Sequence, residues 1–110
     1  MFKIILPEWR EDQLFVTHTP QNRMLFSHQL SIALALSEES QIILASDEDK
    51  KVYVRTARKG EESQSFRIHL NGTQWYLSLP STITPPSRIT RYKIANAPEG
   101  FYEIKDMIGR

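Results

Sequence analysis

The dipeptide Asn71-Gly72 limits the fold of this chain more than any other feature. Both residues tolerate positive φ, which a type I′ hairpin loop demands of its two central positions. Read as that loop, the dipeptide fixes a register. Leu70 then faces Thr73, His69 faces Gln74, Ile68 faces Trp75, Arg67 faces Tyr76 and Phe66 faces Leu77. Phe66, Ile68, Trp75 and Leu77 share one face, expected to be the core side. Arg67, His69, Gln74 and Tyr76 share the other.

The remaining pattern is also largely one of strands. Phe2–Leu6 is a short apolar run stopped by Pro7, and Gln13–Thr19 is β-branched and aromatic, so both predict strands. Thr19-Pro20-Gln21-Asn22 reads as a turn. Ser27–Ser37 reads two ways. Leu30, Ile32, Leu34 and Leu36 alternate with small residues as in a strand, yet Leu30/Leu34 and Ile32/Leu36 also stand at helical spacing with Ser27 as an N-cap. Its alanines and leucines and the need to cover a small sheet tilt the balance slightly to helix. Gln41–Ala45 and Lys51–Ala57 predict strands around the polar loop Asp47–Lys50. In the second of them Val52 and Val54 face away from Tyr53 and Arg55. Pro80–Ser87 is a proline-punctuated connection. Arg88–Ala95 has the mixed alternation expected of an edge strand. Pro98-Glu99-Gly100 is a turn, and Phe101–Met107 is a last strand able to close the sheet. The expected fold is mainly β, with α+β as the alternative. It is a small antiparallel barrel or sandwich of about five to eight strands, with at most one short helix near residues 27–38. At 110 residues, one globular domain over 1–110 is expected.

Charge is laid out unevenly. Residues 1–49 carry three basic and eight acidic side chains, and residues 50–110 carry eleven basic and five acidic. Lys50–Lys93 holds nine Lys or Arg against only Glu61 and Glu62. Such a segment attracts anionic partners.

Motifs that would announce chemistry are missing. Cysteine is absent, so neither a disulfide nor a thiolate nucleophile is available. His18, His28 and His69 have no ligand spacing, so no metal site is expected. The four glycines cannot write a dinucleotide fingerprint or a P-loop, so no cofactor is expected. The carboxylate pairs fall in loops, and no Gly-x-Ser-x-Gly elbow occurs. No segment is apolar enough for a membrane span, and the opening MFKIILPEW is too short an apolar run for a secretory signal. The expectation is a cytoplasmic protein without membrane contact.

A basic and aromatic constellation remains. Tyr53, Arg55, Arg67, Tyr76, Arg91, Tyr92 and Lys93 are expected to form one outward sheet surface. The leading reading is a non-enzymatic interaction module that meets an acidic protein surface or another copy of itself through that face. The first alternative is single-stranded nucleic-acid binding, since Lys and Arg contact phosphates while aromatics stack on bases. The second is a small hydrolase-type enzyme whose triad is assembled in space.

Overall fold

The computed structural model describes residues 14–108. The strand expected at Phe2–Leu6 lies outside them. The described elements are β1 (Phe15–His18), β2 (Arg23–Phe26), α1 (His28–Ala33), β3 (Gln41–Ser46), β4 (Lys51–Thr56), β5 (Phe66–Arg67), β6 (His69–Asn71), β7 (Gln74–Ser78), β8 (Thr90–Asn96) and β9 (Tyr102–Ile108). All nine strands are antiparallel, in the order β5-β3-β4-β9-β8-β1-β2-β7-β6.

Two segments pass from one half of this order to the other. Thr90–Lys93 of β8 pairs with β1, whereas Ile94–Asn96 pairs with β9. The two ends of the order, β5 and β6, are successive pieces of one extended segment interrupted at Ile68. Phe66 and Arg67 pair with β3, and His69–Asn71 pair with β7. The order therefore turns back on itself, giving a nearly closed barrel. Closure leaves few free strand edges. We call β6, β7, β2, β1 and the first half of β8 the first sheet, and the rest the second.

Alternation builds the core. Val16, Met24, Phe26, Ile42, Val54, Leu77 and Ile104 point inward and are almost fully buried. Leu30 of α1 and Leu34, its C-cap, join them in the core. Ser27 caps that helix, accepting from the Leu30 N–H at 3.2 Å. The Thr56 hydroxyl ties the helix end to β4 by donating to Leu34 O at 2.8 Å. The helical reading of the ambiguous segment is thus correct at its start. Its end comes early: the helix stops at Ala33, and Ala35 takes φ +52.

At the β1–β2 turn, Asn22 sits at φ +61. Its amide nitrogen donates to Pro80 O at 3.0 Å and Ile83 O at 2.8 Å. Its amide oxygen faces His18 Nε2 at 2.7 Å. Because the Asn22 amide nitrogen is spent on two carbonyls, the His18 Nε2 must carry the proton in this contact. Asn22 thereby fastens the proline-rich 80–88 connection to the barrel.

Two sequence expectations need correction. The hairpin loop is Gly72-Thr73, not Asn71-Gly72, and the pairs are Asn71 with Gln74, Leu70 with Trp75 and His69 with Tyr76. Only Gly72 takes positive φ, +65, as in a loop that needs glycine at its first central position alone. Moving the loop by one residue shifts each partner by two, so no side chain changes face. This register also sets Ile68 level with Leu77, and both are buried. Trp75 packs half-buried against the core. The second correction concerns β8, which is no edge strand: β1 and β9 flank it. Its mixed alternation arises because a barrel strand has one wet face and one dry face.

Candidate functional site

The seven residues expected on one surface divide among three environments. Tyr53 and Arg55 stand on the outer face of the second sheet, and both are engaged within the fold. The Tyr53 hydroxyl donates to Asp47 Oδ2 at 2.8 Å, and its ring meets Phe101 edge-on at 6.3 Å. That hydrogen bond pushes the Tyr53 phenol up to about 12. Arg55 makes a two-pronged pair with Glu61, Nη1 to Oε1 at 2.7 Å and Nη2 to Oε2 at 2.5 Å, while lying 4.9 Å from the Phe101 ring centre. Together with the Arg58 N–H, it holds the Glu61 carboxyl down to about 2. Tyr92 faces the opposite way, packing against the core beside Val16. Its inward position follows from the strand period, since Arg91 and Lys93 on either side point outward.

Arg67, Tyr76, Arg91 and Lys93 remain, and the fold gathers them. Tyr76, Arg91 and Lys93 lie on the outer face of the first sheet. Arg67 projects where the β5–β6 segment enters it. One cross-strand row runs His69, Tyr76, Leu25, Thr17, Arg91. Tyr76 and Arg91 are three strand spacings apart in this row, about 14 Å at roughly 4.8 Å each. Next to it, Phe15 pairs with Lys93.

Three residues that sequence reasoning missed complete the surface. Arg23 lies with its guanidinium 5.0 Å from the Tyr76 ring centre, and His69 stacks on the same ring at 5.3 Å. Arg91 covers the Phe15 ring at 3.9 Å. Both arginines reach their rings diagonally, from the residue two positions along from the direct cross-strand partner. Diagonal neighbours lie within reach of long side chains.

The contrast with Arg55 defines the site. All three arginines rest on aromatic faces, an attraction of the cation to the ring quadrupole. Arg55 also spends its donors on a carboxylate. Among the described residues no carboxylate forms an ion pair with Arg23, Arg67, Arg91 or Lys93. The reason is compositional: no Asp or Glu occurs between Asp12 and Glu38, or between Glu62 and Glu99. Those two acid-free stretches supply the whole first sheet. Every described acidic residue sits in the second sheet or in connections flanking it. The acid-free stretches were the available signal for Arg23, whereas the split into basic and acidic halves hid it.

The histidines do not converge. His18 is buried at 3% exposure against Asn22, His28 is exposed at the start of α1, and His69 lies on β6. Among the described residues no group of His, Asp or Glu is placed to hold a metal ion. No described helix is long and apolar enough to cross a membrane. In comparisons with known proteins, the chain matches no family model, no curated protein and no solved structure.

Proposed function

We propose that this protein is a non-enzymatic binding module that engages an anionic partner through the outer face of its first sheet. One observation carries the reading. Five antiparallel strand segments present Arg23, Arg91 and Lys93 on a face that carries no carboxylate among the described residues. Arginines resting on rings are preorganised, so less side-chain freedom is lost when their N–H groups meet an anion. Tyr76 belongs to the same surface, and Arg67, on β5, borders it. Tyr53 and Arg55 are structural, holding the Asp47 turn and the Glu61 loop.

Retention on immobilised heparin, a generic polyanion, tests this. Arg23→Ser and Arg91→Ser should each elute at lower salt than the parent protein. Lys59→Ser and Lys105→Ser, which remove the same charge from the second-sheet side, should elute near it. Equal losses for all four variants would show that net charge alone is read, and would contradict a defined face.

A further inference from the structure

The first-sheet face contains one device twice. Arg23 lies on Tyr76 and Arg91 lies on Phe15. In each pair a guanidinium with no carboxylate partner among the described residues covers a half-buried ring. The two arginine-bearing strands, β2 and β8, are separated only by β1, so the repeat is about 10 Å across the sheet. His69 extends the track beyond Tyr76, and Lys93 flanks Phe15.

A repeated site calls for a repeated ligand. We propose that the anionic partner is single-stranded nucleic acid, lying across the strands of the first sheet with its phosphates at Arg23, Arg91 and Lys93. This proposal rests on the binding face argued above and adds the identity of the partner. A single strand offers a negative charge and a planar base at every step, matching a repeat of guanidinium planes laid on rings. Its bases stack on guanidinium planes as readily as on aromatic ones. An acidic protein surface supplies the charge but not the recurring flat group. Duplex DNA presents its bases only as edges within the grooves, with no flat face open to stack on the guanidinium planes.

Fluorescence anisotropy at low salt decides the matter, using labelled oligothymidylate, the same length of abasic strand, a DNA duplex and polyglutamate. Oligothymidylate should bind tightest, and the abasic strand about tenfold more weakly, as expected for losing base stacking on this face. Log affinity should fall linearly with log salt, and Arg23→Ser and Arg91→Ser should each reduce that slope by about one unit or slightly less. Arg91→Lys keeps the charge but loses the planar stack, so it should keep the salt slope while weakening oligothymidylate more than the abasic strand. Circular dichroism of each variant checks that the barrel is intact. Binding of polyglutamate or duplex as tight as oligothymidylate, or equal affinity for the abasic strand, overturns the nucleic-acid assignment and leaves the binding face standing. Failure of all four probes at micromolar protein overturns both.

Discussion

At the residue scale, the same arginine-on-ring contact occurs on both sides of the barrel, closed by a carboxylate on one and without a described carboxylate partner on the other. Arg55 and Arg91 both lie on phenylalanine rings. Arg55 is closed off by Glu61, which ties the 58–64 connection to β4. That tie has a pH signature. Glu61 titrates at about 2 in the fold against an ordinary 4.5. Between those values the unfolded chain binds a proton that the folded chain refuses, so stability must fall as pH drops through that window. Above the ordinary carboxyl range the contribution is complete. Thermal midpoints measured across the acid range should show this loss in the parent protein and a shallower acid limb in Glu61→Gln. An identical slope in the variant would mean that the pair contributes nothing to folding. Tyr53 behaves in mirror image. Raised to about 12 from 10 by its bond to Asp47, it withdraws its contribution as pH rises through that interval.

At the scale of elements, the β6–β7 hairpin shows what the sequence could and could not disclose. Only Gly72 adopts left-handed backbone, and Asn71 is an ordinary strand residue paired with Gln74. Gly72→Ala should therefore cost about 1 kcal/mol or more, from a side chain forced into positive φ. Asn71→Ala should change stability by less than about 0.5 kcal/mol, as at an ordinary exposed position. Urea denaturation of both variants separates this loop from the Asn71-Gly72 alternative, in which both substitutions would be costly. The faces of this hairpin and of β4 were legible because a period of two survives any register error that moves partners by two, whereas in β8 the mixed alternation hid that Tyr92 turns inward between Arg91 and Lys93. The hairpin register was not legible, since Asn-Gly suits a loop that begins at either residue. β2 escaped notice for a different reason. Its four residues, Arg23–Phe26, are too short to show a period and gain strand geometry only from β1 and β7 on either side.

At the scale of the whole molecule, topology rearranges the charge. Sequence halves suggested an acidic N-terminal part and a basic C-terminal part, but the barrel interleaves them. β1 and β2 from the first half join β6, β7 and β8 from the second, and the face they make mixes Arg23 with Arg91 and Lys93. Pairing of β1 with β8 spans most of the chain, and no local pattern encodes it. Of the seven residues expected to share a surface, Tyr76, Arg91 and Lys93 lie on this face and Arg67 borders it. Tyr53 and Arg55 lie on the opposite sheet, and Tyr92 lies inside. The two acid-free stretches were the legible part. They coincide with the first sheet, and on the proposed reading that leaves its outer face free of described carboxylates to meet an anion.

Amide chemical-shift mapping by NMR during titration with oligothymidylate tests the central claim, that this face is the contact surface. The account predicts that the largest perturbations fall on Thr17, Leu25, Tyr76 and Arg91, one row across four strands, and that they fade as salt is raised. Perturbations centred instead on Tyr53, Arg55 and the Glu61 loop, or scattered without regard to the sheet, would contradict it.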